Sequence, residues 1–273
     1  MTGKREEDYL IFNKQEPEMR SNQRSRVNIL GSGTCVPSLE RYPCSILVRR
    51  DEMQILVDAG PGTMGQLLKL GVHIDDIDMI LLSHFHLDHC AEVAPIIFAT
   101  KYPRFDREKP LTLAGGSGIR DLFEGLNQVF GRSLDMEDSD FRIIEFPEKG
   151  RLDFKEMGIG YTRVIHKPES RAYRFTDPSG FCIVYSGDTD FSEDLIEFSE
   201  DADVLICESA LPDALKIDKH LTPSLAGEIA SRAGVKKLVL THFYPECDDA
   251  DMEGECRNTY GGDLVLARDL MEV

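Results

Sequence analysis

Four side chains able to hold a cation, His84, His86, Asp88 and His89, fall within six residues directly after the apolar run Asp78-Met79-Ile80-Leu81-Leu82. A strand ending there places His84 and His86 on one side, because side chains i and i+2 share a face. The turn that follows can aim Asp88 and His89 at a second point nearby. Protonated imidazoles this close repel one another and neutral ones need partners, so the run points to bound metal, with room for two adjacent ions.

The rest of the chain supplies partners for such a centre. Val27 to Leu30, Ser45 to Arg49 and Gln54 to Val57 read as strands, with Gly31-Ser32-Gly33-Thr34 as a tight turn rather than a dinucleotide loop, since the third glycine is missing. Helices are expected over Gly62 to Leu70, closed by Gly71, over Asp88 to Tyr102, ahead of Pro103, and over Ile119 to Phe130. Further strands are expected at Leu111 to Ala114, Phe141 to Phe146, Tyr161 to Ile165, Arg171 to Phe175, Phe181 to Ser186, Val204 to Cys207 and Lys237 to Thr241. Thr222 as N-cap, Pro223 at the first helical position and Gly234 past the end outline one more helix. Strands in both halves, each group carrying helices, predict an α/β (α+β) architecture of two sheets packed face to face with helices outside. Residues 1–26 are polar and mixed in charge and read as a loosely ordered arm; residues 27–273 read as one domain.

Five polar residues then stand just past five of these strands: His84, His166, Asp188, Glu208 and His242. That is the edge where sheets flanked by helices place binding sites, so one cleft can collect them. His84, His86 and His166 would give one ion three nitrogens, while Asp88, His89 and His242 would give a second a carboxylate and two nitrogens. Asp188 can bridge the two. This nitrogen-rich set suits zinc, and a carboxylate bridge also suits manganese or iron. His73 reads as a surface residue, and Cys90 as a small buried residue at a helix start.

Composition narrows the partners. A formal net charge of -18 opposes nonspecific nucleic-acid binding, which needs clustered lysine and arginine, so a polyanionic substrate has to rely on a local patch or on the metals. No apolar stretch approaches the roughly 20 residues of a membrane span, and the start lacks the apolar core of a signal peptide. Seven cysteines without a Cys-x-x-Cys pair argue against a disulfide framework or a thiolate zinc site and fit a reducing cytoplasm. The acidic runs at Glu246 to Glu255 and Asp194 to Asp203 read as solvated surface.

At these residues the chain resembles the metallo-β-lactamase-fold hydrolases, and within them the ribonuclease Z-like branch. The resemblance runs from about Val27 to Val273. It rests on Gly31-Ser32-Gly33-Thr34, Asp58-Ala59-Gly60, the His-x-His-x-Asp-His motif at His84 to His89, Val164-Ile165-His166 and Ser186-Gly187-Asp188-Thr189. Leu240-Thr241-His242 and the closing Ala267-Arg268-Asp269-Leu270-Met271 extend the match, and the segments Glu208-Ser209-Ala210 and His220-Leu221-Thr222 point to the branch. It implies a four-layer αββα sandwich and a homodimer. It also implies a dinuclear phosphodiesterase in which two divalent ions sharing Asp188 bring the pKa of a bridging water towards about 7, creating the attacking hydroxide.

Within that expectation the catalytic residues are Asp88, His220 and Glu208. His220, oriented and kept cationic by Glu208, would protonate the leaving alkoxide, and Asp58 would orient a ligand imidazole. Members that process tRNA carry a protruding arm, in many of them between the third metal histidine and the bridging aspartate. Here Tyr173 reaches Ser186 through only a tight hairpin, so a small phosphodiester such as a cyclic nucleotide is expected rather than tRNA. The rival expectations on the same scaffold are a hydrolase of sulfate esters, lactones or thioesters, and a non-haem iron oxidoreductase. Di-iron reductases usually place glutamate where His86 stands and travel with a flavin domain. The loops Lys101 to Lys109 and Glu246 to Arg257 are expected to wall the cleft.

Overall fold

A computed structural model describes residues 24–102, 109–137 and 139–273. The expected arm therefore lies outside the described residues as far as residue 23, as does most of the expected wall at Lys101 to Lys109. In the first half the elements are β1 (Arg26–Gly31), β2 (Ser45–Arg50), β3 (Met53–Val57), α1 (Thr63–Lys69), β4 (Met79–Leu82), α2 (Leu87–Cys90), α3 (Val93–Thr100), β5 (Leu111–Gly115), α4 (Ile119–Val129) and β6 (Phe141–Glu145). The second half holds β7 (Lys149–Phe154), β8 (Met157–Arg163), β9 (Arg171–Thr176), β10 (Cys182–Tyr185), α5 (Glu193–Phe198), β11 (Val204–Glu208), α6 (Pro223–Arg232), β12 (Lys237–Thr241), α7 (Met252–Arg257), β13 (Asp263–Leu266) and β14 (Met271–Glu272).

These strands form two mixed sheets of seven, ordered β14-β1-β2-β3-β4-β5-β6 and β13-β12-β11-β10-β9-β8-β7. The period-2 alternation of the apolar strands explains the layering. Ile55, Val57, Met79 and Leu81 point into the core shared with the second sheet. Their neighbours Leu56, Ile80 and Leu82 point into a separate core beneath α1, α3 and α4. All four β4 side chains are fully buried, each stabilising the fold by roughly 1.5–3 kcal/mol.

Within each sheet one half is antiparallel and the other parallel. β3 to β6 run parallel, as do β10 to β13. The C-terminal ends of the parallel strands meet at one edge, where the sheets are tied directly: the Phe243 amide donates to the Ser32 carbonyl (3.0 Å), the Arg171 amide to Ser83 (2.9 Å) and the Tyr173 hydroxyl to Leu82 (2.6 Å). Close approach there demands glycine. A Cβ on Gly31 would sit 1.9 Å from the Pro43 carbonyl oxygen, which is why the first strand ends in a glycine turn.

Several local expectations are corrected. β4 stops at Leu82, so His84 and His86 lie on the loop before α2, not on the strand. The helix expected over Asp88 to Tyr102 is two helices: the Glu92 amide turns away to the Ala59 carbonyl (2.9 Å), and Pro95 has no N–H to offer the carbonyl of Ala91. The strand expected at Tyr161 to Ile165 begins earlier and ends at Arg163, because antiparallel pairing to β7 draws Gly158 and Gly160 into it. β7, β13, β14, α5 and α7 carry no strong apolar period and stand as additional elements. Thr222 caps α6 in extended conformation but gives no side-chain hydrogen bond; the Ser224 amide is held by Asp213 instead (3.2 Å).

At the opposite end of the sandwich, Asp177 clamps three segments. Its carboxylate accepts from the Ser25 amide (2.9 Å), the Arg50 guanidinium (3.1 Å) and the Ser179 hydroxyl (2.5 Å). Burial alone would raise its pKa, but the hydrogen bonds from Ser179 and Ser25 outweigh it and bring the value down to about 2. A folded value below the unfolded one means this stabilisation is complete above about pH 4 and is lost as pH falls through about 2. Asp177→Asn is expected to cost about 2 kcal/mol at pH 7 by urea unfolding, with the two proteins converging near pH 2; an unchanged midpoint at pH 7 would show that the clamp contributes nothing.

Candidate metal centre

The foundation of the site is a carboxylate below it. Asp58 follows β3 in a left-handed conformation (φ 60°) and is fully buried. Its Oδ1 accepts from the Ser83 amide (2.7 Å), and its Oδ2 accepts from the Ser83 hydroxyl, the Tyr185 hydroxyl and His89 Nδ1, each at 2.8 Å. His89 is thereby fixed as a ring with its Nε2 turned to Asp188 Oδ1, 3.3 Å away.

Asp188 is the point on which the other groups converge. It lies just past β10, beyond Gly187, whose φ of 56° and contact with Ser83 exclude a side chain. His84 Nε2 is 3.6 Å from Asp188 Oδ2, His242 Nε2 is 3.4 Å and His166 Nε2 is 3.9 Å. His86 Nδ1 stands 3.2 Å from His166 Nε2, and His166 Nδ1 donates to the Lys219 carbonyl (3.0 Å). Asp88 Oδ2 lies 3.6 Å from His242 Nε2 and 3.8 Å from His89 Nε2, and accepts from the Cys35 amide (3.1 Å). The structure thus brings together all seven residues expected to hold metal, from four separate segments of two sheets.

Donor atoms of His84, His86, His166 and Asp188 lie within 4.8 Å of one another, and so do those of Asp188, His220 and His242. A cation fits this cluster. Among the described residues His84 Nε2, His89 Nε2 and His242 Nε2 are buried with no hydrogen-bond partner, yet all face one carboxylate. Burial pushes the pKa of His84 and His86 down and that of His166 to about 4, leaving neutral nitrogens of the kind metals bind. For Asp188, burial opposes ionisation, but His242, His89 and His84 together hold its pKa well below the usual range. Asp88 is likewise lowered against its burial, chiefly by His242 and His89.

A second pair borders the cluster. Glu208, the last residue of β11, is buried; its Oε1 accepts from the Thr189 amide (2.7 Å) and its Oε2 from Leu221 (3.1 Å). His220 Nδ1 is 3.0 Å from Glu208 Oε1 and 4.0 Å from Asp188. Burial raises the Glu208 pKa even against its bond to His220. His220 is raised too: burial would lower it, but the hydrogen bond and charge of Glu208 prevail. Of the remaining expectations, Cys90 is buried in α2 with its thiol on the Phe85 carbonyl (3.3 Å), and half-buried His73 opens a short 3-10 turn, its amide on Asp76 (3.0 Å).

Sequence reading missed two neighbours. Cys44, just before β2, is buried with its thiol within 4.8 Å of donor atoms of His89 and His242. Tyr185 supplies a hydroxyl to Asp58 from inside an apolar strand. Neither carries a local signal, since a cysteine or tyrosine in a strand reads as core.

The comparisons with known proteins bear on this geometry. Residues 53–243 match the family model described as beta-lactamase superfamily domain. A Mycobacterium tuberculosis protein, named only as uncharacterized, is 28% identical over 254 residues, covering 91% of this chain and 92% of its own. Ribonuclease Z of Methanosarcina acetivorans is 27% identical over 299 residues, covering 91% and 97%. Among solved structures, the metallo-beta-lactamase fold protein YhfI from Bacillus subtilis superposes with a TM-score of 0.79 at 25% identity, over 91% of this chain and 98% of that one. With well over half its length matched and its two seven-stranded sheets arranged in the same sandwich, the chain belongs to the beta-lactamase superfamily.

Proposed function

We propose that this protein is a dinuclear, metal-dependent phosphodiesterase of ribonuclease Z-like type acting on small substrates. The observation that carries the reading is the ring of partnerless buried imidazole nitrogens facing Asp188, with the His220–Glu208 pair beside it. His84, His86 and His166 would hold one cation, Asp88, His89 and His242 the other, and Asp188 both. Three nitrogens and a carboxylate favour zinc. Divalent cations held there would supply the acidity that activates water near neutral pH and positive charge for the phosphoryl oxygens.

The chain's own groups do the rest. Asp58 keeps His89 in the tautomer that presents Nε2 to the cluster, as the Lys219 carbonyl does for His166. His220, bound through Nδ1 to Glu208, keeps Nε2 free to give a proton to the departing oxygen. The raised pKa of His220 favours the protonated acid at neutral pH.

The phosphodiester reading draws support from the ribonuclease Z relative, and the small-substrate reading from the interval between His166 and Asp188. There β9 and β10 pair directly, Thr176 opposite Cys182, so this interval holds a hairpin and no protruding arm. The net charge of -18 also disfavours a long polyanion. Among the described residues no helix is long and apolar enough to cross a membrane.

Three outcomes follow. Asp188→Ala is expected to lose metal, by elemental analysis, together with activity. His220→Ala should keep its metal yet turn over about 10²- to 10⁴-fold more slowly on an alkyl phosphodiester, with a smaller loss on bis(p-nitrophenyl) phosphate, whose leaving group needs no proton. Equal losses on the two substrates would refute the acid role. Asp58→Ala should weaken metal affinity about 10- to 100-fold in a chelator competition; unchanged affinity would reduce Asp58 to a packing residue.

A further inference from the structure

Beside the metal cluster a cleft of about 1050 Å³ opens, with His166 in its wall. That is just above the roughly 300–1,000 Å³ typical of small-molecule sites, and larger than a single phosphodiester group requires. Its charges are sorted. Arg163 is engaged by Glu148 (3.0 Å), and Arg174 by the carbonyls of Phe198 (2.8 Å) and Glu200 (3.0 Å). Lys149, Lys167 and Lys219 also line the cleft, and among the described residues none of the three ammonium groups has a carboxylate or carbonyl partner; Lys149 stands on β7 opposite Thr162, whereas the other two adjoin His166. In a chain with 49 acidic and 31 basic residues, three uncommitted cations gather in this one cleft, two of them beside His166.

Both start beside the metal cluster. Lys167 follows His166 directly, so their Cα atoms are about 3.8 Å apart, and the Lys219 carbonyl accepts from His166 Nδ1. The Lys219 backbone is fixed: it is left-handed (φ 67°), its amide donates to Asp190 (2.8 Å), and the Asp190 amide in turn donates to Ile165 (2.8 Å). Ile165, 49% exposed, gives the cleft an apolar surface next to these lysines. Further along, beside Gly160 and Arg174 in mid-strand, the wall becomes Phe198 and then the acidic Glu197 and Glu200 of the α5 end.

We propose that this cleft selects a phosphodiester bearing a second phosphate one nucleoside away, with Lys167 and Lys219 holding that second phosphate. The apolar wall would take the intervening nucleoside, and the acidic stretch beyond would repel a continuing strand, restricting the site to short nucleotides. This assignment rests on the phosphodiesterase reading and specifies its substrate class.

The test is calorimetric titration of the metal-loaded protein with adenosine 5′-monophosphate and adenosine 3′,5′-bisphosphate. Wild type is expected to bind the bisphosphate about tenfold or more tightly, the scale of a charge-assisted contact, and this preference should shrink as salt rises. In the double variant Lys167→Gln, Lys219→Asn, the second chosen because asparagine accepts positive φ, the preference should fall below about threefold. Circular dichroism and metal content verify that the variant is intact. Equal affinity for the two ligands in wild type, or a preference surviving in the variant, would overturn the proposal. Hydrolysis of bis(p-nitrophenyl) phosphate reads the underlying activity separately. Turnover without bisphosphate preference sinks the lysine subsite alone; preference without turnover sinks the phosphodiesterase reading and leaves the subsite standing.

Discussion

A carboxylate taken out of water costs several kcal/mol unless positive charge or hydrogen bonds replace its hydration. Asp188 is 3% exposed, and what surrounds it is imidazole: His84, His89, His166 and His242 all present Nε2 within 4 Å of its oxygens. Among the described residues three of those nitrogens have no hydrogen-bond partner. The imidazole side of this arrangement is not satisfied by hydrogen bonds among the described residues, which leaves those nitrogens open to a cation. A fold can keep such a cluster only where rigid elements hold every member in place.

The two sheets provide that rigidity by the same device. Each has an antiparallel half, which closes through hairpins, and a parallel half, whose returns run through helices and leave the C-terminal strand ends at one edge. Loops leaving those ends carry the site residues, and backbone bonds such as Arg171 to Ser83 and Phe243 to Ser32 lock the two edges together. Asp58 completes the lock from below, joining β3, the histidine loop and β10 through one carboxylate. The left-handed conformations at Asp58 and His242 mark where the backbone is bent to aim a side chain.

Under the proposed function, the same arrangement would set the direction in which a substrate lies. The cluster lies among histidines and carboxylates, Glu208 and His220 border it through Asp188, and the cleft leaves on the His166 side past Lys167 and Lys219. Charge therefore changes along the cleft from cationic beside His166 to acidic near Glu200. A protein of strongly negative net charge can still attract an anion, provided the cations stand where the field of the acidic surface is locally reversed.

The histidine run, the apolar β4 before it and the strand-end positions of His166, Asp188, Glu208 and His242 were legible in the chain, because metal-binding side chains and strand periodicity are local signals that survive without coordinates. Helix α6 was legible from Pro223 and Gly234 for the same reason. Less was legible where pairing overrides local preference: β8 with its two glycines is a strand only because β7 and β9 flank it, and the break between α2 and α3 follows from the Ala59 carbonyl capturing the Glu92 amide. Cys44 and Tyr185 beside the centre, the gathering of Lys167 and Lys219 in one cleft, and the distances around Asp188 belong to the tertiary structure alone. They depend on which segments the two sheets bring face to face, and separation along the chain says nothing of that.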